Sequence, residues 1–167
     1  MVRCRPAATP VVLLLAACGL ETTGCIDTDA AVFVDASIQD PSATVTPETL
    51  GTTLAGAFDV TLHLGPRASG PADVTLGAVS LLGADQTTTL VDVVAVETAP
   101  TFPVTVPVDG DVFVTVTFAE QDNLLEASAY DELCAVGSVV ISAALDDALR
   151  GGTISVVSEP FALSGCP

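Results

Sequence analysis

The sequence predicts an all-β domain, built as an antiparallel β-sandwich of seven to nine strands. Apolar and polar residues alternate with a period of two along several stretches, and turn residues separate these stretches about every 8–12 residues. Amphipathic stretches with the period of a helix are scarce, whereas valine and threonine are frequent. Half of the residues are hydrophobic, which is enough to form a core.

The first strands are predicted between residues 31 and 64. Residues 31–36 and 43–45 are two short candidates, and Pro41 lies between them. The next strand is clearer, because its apolar side chains alternate with Asp59, Thr61 and His63. The apolar members of this alternation are Phe58, Val60, Leu62 and Leu64.

Further strands follow along the rest of the chain. They are predicted at residues 74–82, 88–96, 102–106, 112–118, 136–145 and 153–157. The cleanest pattern places Val112, Val114, Val116 and Phe118 on one face and Thr115 and Thr117 on the other. Residues 119–135 break the strand pattern, and we expect either a short helical turn or a long loop there.

The N-terminus has the organisation of an export signal. A short basic start with Arg3 and Arg5 precedes an apolar run over residues 11–17, and the run stops at Cys18. The run is too short for a membrane-spanning helix, which needs roughly 20 apolar residues. Residues 1–17 are therefore predicted to be a signal peptide.

Leu15-Ala16-Ala17-Cys18 resembles the lipobox of bacterial lipoproteins, a leucine and two small residues before a cysteine. The resemblance implies that Cys18 carries a diacylglycerol with palmitate-type chains and becomes the first mature residue. Residues 18–30 would then be a lipidated tether and residues 31–167 the domain. Because Gly19 rather than an aspartate follows the cysteine, the family's sorting rule implies the outer membrane, facing the periplasm or the cell surface.

Two alternatives to this anchor stay open. The first is an ordinary secretory signal in which Cys18 stands by chance. The second is Cys25 as the anchor, although no apolar run directly precedes it. All of these readings place the domain outside the cytoplasm.

The charge of the chain restricts the classes of partner that it can bind. It has 4 basic and 21 acidic residues and a net charge of −17, and removing residues 1–17 leaves −19 because two arginines and no acids are lost. Such a surface repels phosphate backbones, so nucleic-acid binding is not expected. The expected partners are the membrane, through the lipid anchor, and another envelope protein.

Residues 101–157 resemble the immunoglobulin-like domains of the ASPM–SPD-2–hydin and major-sperm-protein type. The resemblance rests on DGDVFVTVTF at residues 109–118 and on GSVVIS at residues 137–142. It departs from the family's pattern at Ala119-Glu120, where a proline is usual, and an insertion separates the two strands. It implies an immunoglobulin-like sandwich and says little about activity.

Three cysteines remain after the signal peptide and the anchor. In an oxidising compartment, we expect a disulfide between Cys134 and Cys166, which would fasten the C-terminal segment to the strands. The alternative pair is Cys25–Cys166. The role of Cys25 is left open.

His63 is the only histidine, and its alternation with apolar residues predicts a solvent-facing position on a strand. The sequence has no serine elbow and no phosphate-binding loop. We therefore expect no enzyme activity and no required cofactor.

Calcium is the alternative ligand, because it takes 6–8 oxygen ligands and the chain is rich in carboxylates. Asp109 and Asp111, in a tight turn, are the candidate metal ligands, and Asp146-Asp147 lie at another strand end. The sequence thus predicts a non-catalytic, lipid-anchored protein of the bacterial cell envelope, structural or protein-binding. The alternative is a calcium-dependent adhesion or ligand-binding module.

Overall fold

The computed structural model describes residues 32–93, 96–119 and 125–167. These residues form nine β-strands and one helix. The elements are β1 (Asp35–Glu48), β2 (Gly51–Leu64), β3 (Ala72–Gly83), β4 (Thr89–Val93), β5 (Val96–Ala99), β6 (Val104–Val106), β7 (Gly110–Ala119), α1 (Ala129–Val136), β8 (Val139–Asp147) and β9 (Gly152–Val157).

The strands form two sheets, and every named pair of strands is antiparallel. Sheet I has the order β1-β2-β7-β5, and sheet II has the order β4-β3-β8-β9, with β6 also paired to β3. Buried side chains of both sheets form one core cluster between them. The described residues therefore form an antiparallel β-sandwich, and the predicted all-β sandwich of seven to nine strands is confirmed.

The core follows from the period-two pattern that the sequence predicted. In β2, the side chains of Phe58, Val60, Leu62 and Leu64 are all at most 1% exposed. In β7, Val114, Val116 and Phe118 are buried while Thr115 and Thr117 are exposed. Alternate side chains of a strand point to opposite faces, so each strand contributes one face to the core.

Gly56 on β2 marks a close approach between neighbouring strands. A Cβ at this position would overlap the ring of Phe118 and the backbone carbonyl of Ser42. A larger residue is therefore not compatible with this packing.

The first strand differs from the sequence prediction. Residues 31–36 and 43–45 were expected as two strands, whereas β1 runs without a break from Asp35 to Glu48. Its register against β2 shifts between Gln39 and Ser42, where Asp40 has a φ of 49°. Such a bulge on an edge strand accommodates Pro41, which has no N–H to donate.

The prediction of a single strand at residues 88–96 was also wrong. Its residues belong to two strands, since β4 pairs with β3 in sheet II and β5 pairs with β7 in sheet I. Both pieces have the composition of a strand, and period-two alternation does not reveal which sheet a strand joins. Residues 94–95 lie outside the described residues.

The segment at residues 119–135, expected as a helical turn or a loop, contains the start of α1. The helix ends before Gly137, which has a φ of 77°. Glycine adopts this left-handed conformation without the cost of a Cβ.

The C-terminal segment connects the two sheets. Phe161 exchanges two backbone hydrogen bonds with Val139 of sheet II. Ser164 accepts a hydrogen bond from the N–H of Val45 and donates one to the carbonyl of Ala43, both on the free edge of β1 in sheet I. Residues 161–166 are called the C-terminal strap below.

Candidate functional site

The predicted anchor, Cys18, lies outside the described residues, as do the signal peptide (1–17), the tether (18–30) and Cys25. Lipidation of Cys18 therefore stays a prediction. Within residues 32–93, 96–119 and 125–167, no helix has the length and apolar character needed to cross a bilayer.

The first described residues are held by a buried carboxylate. Asp147, the last residue of β8, is 1% exposed. Its Oδ2 accepts a hydrogen bond from the N–H of Val34 at 3.1 Å, and its Oδ1 accepts bonds from the N–H groups of Leu149 at 2.8 Å and Arg150 at 3.2 Å. The guanidinium of Arg150 lies 5.3 Å from the centre of the Phe33 ring. The chain therefore enters the fold at the β8–β9 turn.

This end of the sandwich is called the Val34 end. It also holds the β2–β3 loop, with Arg67, and the β6–β7 turn, with Asp109, because these connections begin or end at the same level of the two sheets. Both arginines of the described residues, Arg67 and Arg150, lie at this end. The opposite end carries α1 and the C-terminal strap.

His63 is paired with an acidic side chain. Its Nδ1 lies 2.7 Å from Oδ1 of Asp111, the residue directly opposite on β7. The His63 side chain is 27% exposed, and its Nε2 has no hydrogen-bond partner among the described residues. The pair could act as an acid–base group, but in the part of the chain that the structure describes Nε2 has no hydroxyl or thiol partner that it could activate.

The sequence does not predict this pair. Alternation places Asp59 on the same face of the strand as His63, but it reveals no partner on another strand. The residues of the pair are 48 apart in the chain, and only the β2–β7 register brings them together. Only a correct prediction of how β2 and β7 pair would have revealed that His63 lies opposite Asp111.

The two candidate calcium ligands have different surroundings. Asp109 lies in the β6–β7 turn with a φ of 58°, and Asp111 lies on β7 beside His63. Among the described residues, no three His, Cys, Asp or Glu side chains come together as a metal site would require. Calcium binding at Asp109 and Asp111 stays a prediction.

Cys134 on α1 and Cys166 on the C-terminal strap form a disulfide, with their Cα atoms 5.4 Å apart. The hydroxyl of Tyr130, also on α1, donates a hydrogen bond to the Gly165 carbonyl at 2.8 Å. The helix therefore holds the strap by one covalent bond and one hydrogen bond.

Acidic side chains also line a shallow pocket of about 380 Å³ near the β8–β9 turn. Two of them are hydrogen-bonded to threonines on neighbouring strands. The hydroxyl of Thr105 donates to Asp73 at 2.6 Å, and that of Thr153 donates to Asp146. Asp146 is exposed and Asp147 is buried, because successive side chains of a strand point to opposite faces, so these two carboxylates do not converge on one ligand.

An aromatic side chain is exposed on the outer face of sheet I. Phe113 on β7 is 67% exposed, opposite Thr61 on β2. On its other side β7 has no strand partner at this level, because β5 ends at Ala99 opposite Thr115. The ring therefore has an open flank.

Two hydrogen-bonded pairs flank this ring along the strands. One is His63–Asp111, and the other joins the Thr115 hydroxyl to Oδ1 of Asp59 at 2.7 Å. Each pair lies one same-face position from Phe113, a spacing of about 7 Å. These five residues, Phe113, His63, Asp111, Asp59 and Thr115, are called the Phe113 face below.

Comparisons with known proteins add little to these observations. No family model matches the chain, and no curated protein matches it either. One similar solved structure is the Northeast Structural Genomics Consortium target SoR45, with a TM-score of 0.42 and 11% identity over 82% of this chain and 89% of the other. Another is the ASH / PapD-like domain 7 of human CEP192, with a TM-score of 0.32 and 13% identity over 95% and 99%. At these values neither similarity informs function.

Proposed function

We propose that the chain is a non-catalytic, lipid-anchored protein of the bacterial cell envelope, with a structural or protein-binding role. The proposal includes acylation at Cys18 and location at the outer membrane. It also includes kinship of residues 101–157 with the ASPM–SPD-2–hydin and major-sperm-protein type domains, on residues 109–118 and 137–142.

The observation that carries this proposal is the sequence Leu15-Ala16-Ala17-Cys18 directly after a basic start and an apolar run. Acyl chains on Cys18 would provide the membrane affinity that the acidic domain lacks, at about 0.8 kcal/mol for each buried methylene. A single acyl chain gives only weak, reversible membrane binding. Localisation of a domain with no other strong contact to lipid therefore requires more than one acyl chain, as the lipobox implies.

The geometry of the Val34 end is compatible with such a tether. Asp147 binds Val34 at this end, so a tether before residue 32 would join the domain near the β8–β9 turn. The opposite end, with α1 and the C-terminal strap, would then point away from the anchor. Binding surfaces on the sheets stay accessible in this arrangement.

A non-catalytic role is supported by the surroundings of the only histidine. The Nδ1 of His63 is occupied by Asp111, and no nucleophile lies beside its Nε2 among the described residues. The calcium-dependent module is the weaker candidate, because Asp109 and Asp111 belong to no group of three or more His, Cys, Asp or Glu side chains among the described residues.

The anchor can be tested in a Gram-negative host that expresses the whole chain and is fed a labelled palmitate analogue. We expect the label on the purified protein and a mass that lacks residues 1–17. Cys18→Ala should abolish the label, whereas the matched variant Cys25→Ala should retain it.

Two outcomes would contradict the proposal. One is an intact N-terminus that still carries residues 1–17 in the wild-type protein. The other is a label that survives Cys18→Ala and disappears in Cys25→Ala, which would move the anchor to the second cysteine.

A further inference from the structure

We propose that the Phe113 face binds a basic segment of a partner protein, with a lysine or arginine side chain placed over the Phe113 ring. The inference rests on the proposed protein-binding role and gives that role a surface and a ligand class. It does not depend on the lipid anchor.

The position of Phe113 is unusual among the exposed large apolar residues. The others lie where the chain enters, in turns or at the end of the helix: Val32, Phe33, Leu50, Val108 and Val136. Phe113 is the one exposed large apolar side chain within a strand of the described residues. Its neighbours in register, Thr61 and Ser37, are too small to cover it. A partner that covers the ring would remove apolar surface from water.

The ring lies between carboxylates of fixed orientation. Asp111 is held by His63, and Asp59 is held by Thr115, through one oxygen each. The remaining lone pairs of both carboxylates are available to a ligand. A cation above an aromatic ring is attracted by its negative face, and carboxylates on both sides add to this attraction. The arrangement therefore suits an ammonium or guanidinium group.

Charge decides which kind of partner fits. The chain has a net charge of −17, so a second copy, a nucleic acid or an anionic lipid surface would be repelled. The arginines of the described residues, Arg67 and Arg150, lie at the Val34 end. Among the described residues, the one close contact between a basic side chain and a carboxylate is that of His63 with Asp111. No cation of the described residues thus neutralises Asp59. A basic polypeptide segment is the occupant that the surface favours.

The test uses the full-length protein in a neutral detergent and a fluorescent eight-residue peptide that alternates lysine with serine. We expect binding that weakens as salt rises, and no binding of the same peptide with glutamate in place of lysine. The imidazole signal of His63 should shift on binding. It can be followed by NMR without ambiguity, because the sequence has a single histidine.

Matched variants separate this face from a general attraction to an acidic protein. Phe113→Ser should weaken binding roughly two- to five-fold, whereas Leu50→Ser, an equally drastic change at an 87% exposed residue, should not. Asp59→Asn with Asp111→Asn should weaken binding much more than Asp131→Asn with Glu132→Gln. The two double variants change the net charge equally, and the second pair lies on α1.

Equal effects of Phe113→Ser and Leu50→Ser would overturn the inference, as would equal effects of the two double variants. Self-association that Phe113→Ser abolishes would also overturn the inference, and so would binding of this face to phosphatidylglycerol vesicles. A third contradicting result is peptide binding that appears only when residues 19–31 are deleted. If acylation at Cys18 fails while the peptide binds normally, the proposed lipid anchor is contradicted and the binding face is not.

Discussion

At the scale of single residues, Asp147 joins parts of the chain that are far apart in sequence. Its carboxylate is buried, yet it accepts three backbone hydrogen bonds, one of them from Val34, 113 residues away. A buried charge is tolerated when hydrogen-bond donors replace the water that it loses. The aspartate therefore links the start of the fold to the β8–β9 turn by hydrogen bonds.

Asp147→Ala should destabilise the domain by about 2–4 kcal/mol, because it leaves buried backbone N–H groups without an acceptor. Asp147→Asn should cost less, since one oxygen acceptor remains. The matched control is Asp146→Asn at the exposed neighbouring position, which should have little effect. Urea unfolding measures all three, and equal destabilisation by the two asparagine variants would contradict this account.

A second aspartate stabilises a turn rather than the core. Asp85, between β3 and β4, accepts hydrogen bonds from the N–H groups of Thr87 and Thr88 and from the Thr88 hydroxyl. These donors, with the backbone N–H of Thr88 first, hold the pKa of Asp85 well below its ordinary range. Its ionised form is therefore favoured in the folded state.

The pH dependence follows from the sign of this shift. A carboxyl whose pKa is lower in the folded state adds stability above its unfolded value of about 4, and this stability is lost as the pH falls further. The stability difference between the wild type and Asp85→Asn should thus be largest near neutral pH and shrink below about pH 4. Thermal unfolding across this range, with Asp40→Asn as the control, measures it. A difference that grows in acid would refute the explanation.

At the scale of elements, the C-terminal strap closes an edge of the sandwich. An edge strand offers unpaired N–H and C=O groups to other chains. Ser164 occupies such groups on Ala43 and Val45, and the disulfide between Cys134 and Cys166 keeps the strap in place. The covalent bond therefore protects part of the β1 edge in addition to stabilising the fold.

Replacing Cys134 and Cys166 by serine should lower the free energy of unfolding by about 3–4 kcal/mol, from the entropy that the unfolded chain regains. The amide of Val45 should also exchange faster with solvent. Cys25→Ser serves as the control and should change neither quantity. Unaltered exchange at Val45 in the double variant would mean that the strap holds without its disulfide.

Much of the strand pattern could be predicted from the sequence, because alternation reports which side chains enter the core. What alternation does not report is the partner of a strand. For this reason residues 88–96 were predicted as one strand, although β4 and β5 belong to different sheets. The Phe113 face could not be predicted for the same reason, because its two hydrogen-bonded pairs join residues that are 48 and 56 positions apart in the sequence.

At the scale of the whole molecule, the proposed anchor and the distribution of charge act together. The domain is strongly acidic, and acidic surfaces are repelled by anionic lipid headgroups. A lipid anchor at Cys18 would keep the domain near a membrane while its charge keeps the sheets away from the bilayer. The Phe113 face would then stay open to a basic partner.

The proposed destination can be tested at Gly19, the residue after the anchor. By the sorting rule of the family that the lipobox resembles, Gly19→Asp should move the protein from the outer to the inner membrane. Gly19→Ser is the control and should leave it in the outer membrane. Separation of the membranes by density measures the shift, and an unchanged distribution in Gly19→Asp would argue against outer-membrane sorting.

The bonds between Ser164 and β1 have a consequence for biosynthesis. A polypeptide is made from its N-terminus, so the first strand exists long before the residues that complete its outer edge. Until the region around Ser164 emerges, the nascent chain offers Ala43 and Val45 to any extended segment nearby. A stalled or truncated chain that lacks the C-terminal strap would therefore be more prone to aggregate through this edge.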